Sequence, residues 1–231
     1  MAIKPLAVKT SIGLLSAGGI SAVVYQGYQA FNKEDVEKKK EVVKGLSVAK
    51  RLEAEKYVLL TKETKNDNHW AKILDSYKNI SQDLKFEGFD GNDSSDGTIK
   101  GVDKLKDKCA ETLISEDENL LKKAKKWCVT PISASELLNS KGFKILKTNN
   151  SNKDEEKSDW EQRINAFKEA KTANSELSKL ITIEEGTDKL DSNIVAIKTK
   201  CKEFGAKLNY EDKFEENLEN VEKWCAIKAP G

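Results

Sequence analysis

Apolar positions are distributed along this chain in two different ways. Between Thr10 and Asn32 no side chain is ionisable except tyrosine, and Ile12, Leu14, Leu15, Ile20, Val23, Val24 and Phe31 are separated by small or uncharged residues. About 20 such residues rising 1.5 Å each cross roughly 30 Å of hydrocarbon, so the pattern predicts a transmembrane helix within residues 1–32. Lys4 and Lys9 precede it, as expected of the flank that stays inside. A cleaved signal peptide and an ordinary buried helix are competing readings. No small-residue cleavage site follows the run cleanly, however, and no cysteine lies there to take a lipid.

Beyond residue 33 the apolar positions become sparse and periodic. Trp70, Ile73, Leu74 and Tyr77 recur at i, i+3, i+4 and i+7, one face of a helix. The same spacing returns later, because the chain aligns with itself. Leu52, Tyr57, Leu59 and Leu60 match Leu138, Phe143, Ile145 and Leu146. Trp70, Leu74 and Tyr77 match Trp160, Ile164 and Phe167. Val102, Leu105 and Cys109 match Ile194, Ile197 and Cys201, and Leu121, Ala124, Trp127 and Cys128 match Leu218, Val221, Trp224 and Cys225. The predicted fold class is mainly α, with α+β character from short two-stranded sheets. An N-terminal transmembrane helix (1–32) precedes a charged stalk or linker (33–46) and two tandem helical repeats (47–131 and 132–231).

Cap residues place several boundaries. Ser133 with Glu136 forms a capping box, and Gly142 can end the helix it opens. Ser158 with Glu161, and Ser115 with Glu118, are read in the same way, and Asn209 is expected to cap the helix ending in Trp224. Trp70, Trp127, Trp160 and Trp224 fall among Leu and Val on these helix faces and are assigned to the cores of their repeats.

Composition narrows the function. Apolar residues make up 38% of the chain and charged residues 34%, so each repeat core is thin. Lys plus Arg number 40 and Asp plus Glu 39, leaving a net charge of +1 and no field to draw in nucleic acid. His69 is the single histidine, which excludes any two-histidine site or relay and fits a surface or cap residue. The cysteines lack zinc spacing. Asn92, Ser94, Asp96, Gly97, Ile99 and Asp103 fall at EF-hand positions, but with Asn first and Asp last, and with Gly88 and Gly91 upstream, a polar loop is the better account. No phosphate loop, nucleophile elbow or metalloprotease helix is present. No catalytic residue, metal or cofactor is assigned.

Four cysteines allow three pairings, and Cys109 with Cys128 and Cys201 with Cys225 are expected. In that reading Ala110–Ser115 and Lys202–Asn209 run extended before a helix returns to the second cysteine. The extended segments, carrying Leu113 and Leu208, would pair with Tyr57–Leu60 and Phe143–Leu146 as short strands.

The lysine-rich composition, the N-terminal apolar segment and the recurring Lys-Trp-Cys at Lys126–Cys128 and Lys223–Cys225 together resemble the paralogous, uncharacterised membrane-anchored protein families of haemotropic mycoplasmas. That resemblance implies an exported protein of a wall-less bacterium living on red blood cells, in families presenting variable surface antigens. It carries over no catalytic residue. The expected function is thus a membrane-anchored, surface-exposed, non-enzymatic protein, with lipid as partner through the N-terminal helix and a host molecule or protein as partner of the repeats. Its expected location is the cell membrane, single-pass, with most of the chain extracellular. The alternative is a membrane-anchored hydrolase with a paired-carboxylate site.

Overall fold

Residues 45–149, 155–174 and 177–228 are described by the computed structural model. Repeat 1 contains α1 (Val48–Ala54), α2 (Asp67–Asn79), α3 (Gly101–Ile114) and α4 (Asn119–Trp127). Repeat 2 contains α5 (Ala134–Ser140), β1 (Phe143–Ile145), α6 (Lys157–Ala173), the short α7 (Leu177–Leu180), α8 (Leu190–Gly205), α9 (Phe214–Trp224) and β2 (Ala226–Lys228). Each repeat opens on a serine cap. The Ser47 hydroxyl accepts from the Lys50 N–H. At Ser133 the full capping box forms with Glu136.

The two repeats make the same long-range bonds. Val48 N–H donates to Ser115 O at 2.7 Å, and its counterpart Ala134 N–H to Lys207 O at 2.9 Å. Leu60 N–H donates to Cys128 O at 3.0 Å, and Leu146 N–H to Cys225 O at 2.9 Å. Leu59 bridges Val129 antiparallel, where repeat 2 has the two-stranded ladder pairing Ile145 with Ala226 and Phe143 with Lys228.

The cores also correspond. Trp70, Trp127 and Trp160 are wholly buried and Trp224 nearly so. Trp127 meets the edge of Tyr77, and Trp224 the edge of Phe167, each at 5.0 Å between ring centres, a favoured aromatic geometry. Disulfides join Cys109 to Cys128 and Cys201 to Cys225. By the chain-entropy model each closed loop contributes about 3 kcal/mol, a substantial share of stability for so thin a core.

Several sequence expectations are corrected. Residues 1–32, assigned to a transmembrane anchor, lie outside the described residues, as does 33–44 of the stalk. Among the described residues no helix is long and apolar enough to cross a membrane. The membrane-anchored architecture, the single-pass location with an extracellular bulk, lipid as partner and the surface display derived from them therefore have no element among the described residues to carry them and are withdrawn. The anchored-hydrolase alternative loses its anchor on the same ground.

Locally, Ala110–Ile114 continues α3 instead of running extended, and α8 likewise runs through Cys201 to Gly205. Both cysteines therefore lie within helices. The strand partners come instead from the residues that follow the second cysteine of each pair, which are free to extend once α4 and α9 have ended. Ser158 lies inside α6 and caps nothing, since α6 begins after Glu156 in a left-handed conformation. Ser115 ends α3, and the N–H of Asn119 is accepted by Asp117.

Asn209 does not cap α9; it pins the repeats together. It is completely buried. Its Oδ1 accepts from Ile132 N–H at 3.0 Å, and its Nδ2 donates to Lys125 O at 3.0 Å and Lys126 O at 3.2 Å. Beside it the buried Lys126 Nζ donates to Glu211 O at 2.5 Å and lies over the Trp127 ring. Burial pushes the Lys126 ammonium down from its ordinary pKa, opposed by the carboxylates of Glu215 and Asp212. Ser76 adds a bond to Tyr210 O at 2.7 Å.

Candidate functional site

Helices α2 and α3 of repeat 1 leave a groove of about 510 Å3 between them, within the size range of ligand clefts. The i, i+3, i+4 spacing that sends Trp70, Ile73 and Tyr77 into the core leaves Ala71, Leu74 and Asp75 facing this groove. From α3 come Val102, Asp103 and Lys106, one turn apart, while Leu105 and Cys109 point inward. Leu74 and Val102 are half-buried and form the apolar floor. Asp67, Asp75, Asp103 and Lys78 stand exposed at the rim.

Gly101 sets the upper end. A side chain there would lie 2.4 Å from Gly91 O, so only glycine lets the preceding loop close against the start of α3. That loop hangs on Tyr77, whose hydroxyl donates to Phe89 O at 3.0 Å and accepts from Phe86 N–H at 2.6 Å. Burial holds the hydroxyl pKa up at about 12, partly offset by the Phe86 N–H.

Lys106 Nζ pairs with Asp67 at 3.0 Å across the groove, and only 13% of its side chain is exposed. An ammonium has three donors, so it keeps capacity for further acceptors. Among the described residues, Asp75 and Asp103 are paired with no cation.

In repeat 2 the equivalent positions are closed. Ile164 and Ile194, which replace Leu74 and Val102, are 1% and 2% exposed. Lys198, in the place of Lys106, is 1% exposed, lies over the Trp160 ring and donates to Asn149 O at 3.4 Å. Lys157 and Asp191 form an ion pair at 3.0 Å, and Lys168, the counterpart of Lys78, pairs with Glu185 at 3.7 Å. Asn165 and Val195 stand where repeat 1 has Asp75 and Asp103, so those carboxylates belong to the open copy alone.

Apart from Leu74, Val102 and Asp103, the residues singled out from sequence lie elsewhere. The cysteines are paired in disulfides, the four tryptophans are buried in the core, and none of them lines this groove. His69 is half-buried on α2. Apart from Asp103, the EF-hand-like loop spends its acids internally. Asp96 accepts from the Ser94 hydroxyl and from the Thr98 N–H and hydroxyl, bonds that hold its carboxyl down at about 2. Asp93 accepts from Gly101 N–H and Lys100 Nζ. Among the described residues no group of three or more His, Cys, Asp or Glu side chains is placed to hold a metal ion.

Of the groove residues, Leu74 and Val102 were read from sequence only as core-facing apolar positions and Asp103 only as a loop acid, while Asp75 and Lys106 were missed. The signal of the groove was the gain of Asp75 and Asp103 opposite Asn165 and Val195 at aligned positions. Compared with models of protein families, with characterised proteins and with solved structures, the chain has no match.

Proposed function

We propose that this chain is a non-enzymatic binding protein in which repeat 1 presents the recognition groove and repeat 2 acts as its rigid, closed neighbour. The observation that carries this reading is the contrast at equivalent positions: an apolar floor with charged rim in repeat 1, and the same floor shut in repeat 2. The groove's walls are fixed by buried contacts. α3 is tied to α4 through Cys109, and α2 is held by Trp70 and Tyr77. Such preorganisation reduces the ordering cost of binding. The disulfides suit a protein that works in an oxidising environment.

Turnover is the competing role for the rim carboxylates. The floor between them is apolar, and Asp75 and Asp103 face solvent from the rim, whereas general acid–base work needs a carboxyl aimed at a bound reacting group. The test is an assay of the oxidised full chain on peptide, ester, glycoside and phosphoester substrates. No turnover above buffer is expected. Turnover abolished by Asp75→Asn or Asp103→Asn would overturn the binding reading.

A further inference from the structure

Repeat 2 contains its own indication of what the open groove of repeat 1 accepts. Lys106 and Lys198 occupy the same place, one turn before the disulfide cysteine of α3 and α8 respectively. In repeat 2 that lysine is covered, and the group it meets is a main-chain carbonyl, Asn149 O, in the connection leaving β1. The connection spans residues 147–156, whereas its counterpart in repeat 1 spans only 61–66 and leads directly into α2. Asn149 thus supplies a backbone acceptor to the lysine of repeat 2, whereas Lys106 in repeat 1 meets the Asp67 carboxylate.

We infer that the α2–α3 groove of repeat 1 binds an extended polypeptide segment of a partner protein, with a main-chain carbonyl on Lys106 and a lysine or arginine of the partner on Asp75 or Asp103. This rests on the binding reading above. Lys106 uses one donor on Asp67 and has others for a carbonyl. Leu74 and Val102 offer half-exposed apolar area where Ile164 and Ile194 are covered. The rim carries three carboxylates, Asp67, Asp75 and Asp103, against the ammonium groups of Lys78 and Lys106. With Asp67 and Lys106 paired to each other, the acids outnumber the cations left to meet a ligand, which selects a basic segment. From Asp67 to Lys78 α2 rises about 16 Å, the length of about five extended residues.

The test uses the full chain with disulfides intact and, as probe, a displayed library of random twelve-residue peptides, counter-selected on the Asp75→Lys, Asp103→Lys double variant. Recovered peptides are expected to carry Lys or Arg beside an apolar residue. Their synthetic forms should bind the parent chain at least tenfold more tightly than Asp103→Asn or Leu74→Glu. The two aspartates are exposed, so their replacement leaves the fold intact, and unchanged circular dichroism melts establish this for every variant. Failure to recover any peptide, recovery of acidic peptides, or binding indifferent to the groove substitutions would overturn the inference. None of those results touches the non-enzymatic reading, which falls only to groove-dependent turnover.

Discussion

The indole N–H groups provide an internal comparison that can be measured. In repeat 1, Trp70 Nε1 donates to Thr61 O at 2.9 Å and Trp127 Nε1 to Leu84 O at 2.8 Å. In repeat 2, the buried Nε1 atoms of Trp160 and Trp224 have no partner among the described residues. Replacing each tryptophan in turn by phenylalanine removes a similar ring volume at every site, so the packing loss enters all four alike. The polar contribution has opposite sign in the two repeats. Losing a made hydrogen bond costs about 1 kcal/mol, whereas deleting a buried unpartnered donor relieves about 1–3 kcal/mol. Trp127→Phe should therefore be costlier than Trp224→Phe by about 2–4 kcal/mol, and Trp70→Phe costlier than Trp160→Phe by the same margin. Urea unfolding of the oxidised chain followed by far-ultraviolet circular dichroism reads this directly. At an m-value of about 2–3 kcal/mol/M the paired midpoints should separate by roughly 1 M. Equal midpoints within each pair, or a lower midpoint for the repeat 2 variants, would refute the hydrogen-bond reasoning.

Asn209→Ala removes two bonds between the repeats, to Lys125 O and Lys126 O, and a third within repeat 2, to Ile132 N–H, and should cost about 3 kcal/mol, with small-angle scattering showing a broader distribution of distances between the repeats; an unchanged profile and melt would count against the pin. Tyr77 should resist ionisation until pH rises to about 12, so absorbance at 295 nm should show a late titration step that Tyr77→Phe deletes. Its folded pKa is raised above the ordinary 10.0, so the stability it contributes is complete below pH 10 and is lost as pH climbs towards 12. A step completed near pH 10 would contradict this burial.

How much of this was legible before the structure depends on whether a feature is local. The Ser133–Glu136 box and the Trp70–Tyr77 face involve residues within two helical turns, and one-dimensional spacing specifies both. The internal alignment also brought together the positions that share bonds in the two repeats, because equivalent apolar residues have equivalent neighbours. The path between the cysteines was misread. Cys109 and Ile114 are close enough along a helix for α3 to carry on, and only the crossing of α3 with α4 brings Cys128 back to Cys109. Asn209 could not be read correctly, since a short polar side chain before a helix looks the same whether it caps that helix or reaches Lys125 in another repeat. Lys126 and Lys198 were equally hidden: lysine is almost never buried, and their burial depends on Glu211 and Asn149, far away in sequence. The open groove escaped for a related reason, because Leu74 and Ile164 look interchangeable as apolar residues until their different burial is seen.

The pairing of Leu59 with Val129, and of β1 with β2, holds the exit of each repeat beside the chain that follows its first short helix, α1 or α5. A unit whose exit is held within one short helix of its entrance can be spliced in tandem without pulling its termini across its own core, and the short join from Thr130 to Ile132 is all the connecting chain that such a splice requires. Gene duplication could then lengthen this chain in whole folded increments, leaving one copy to keep the frame while the other acquired Asp75 and Asp103.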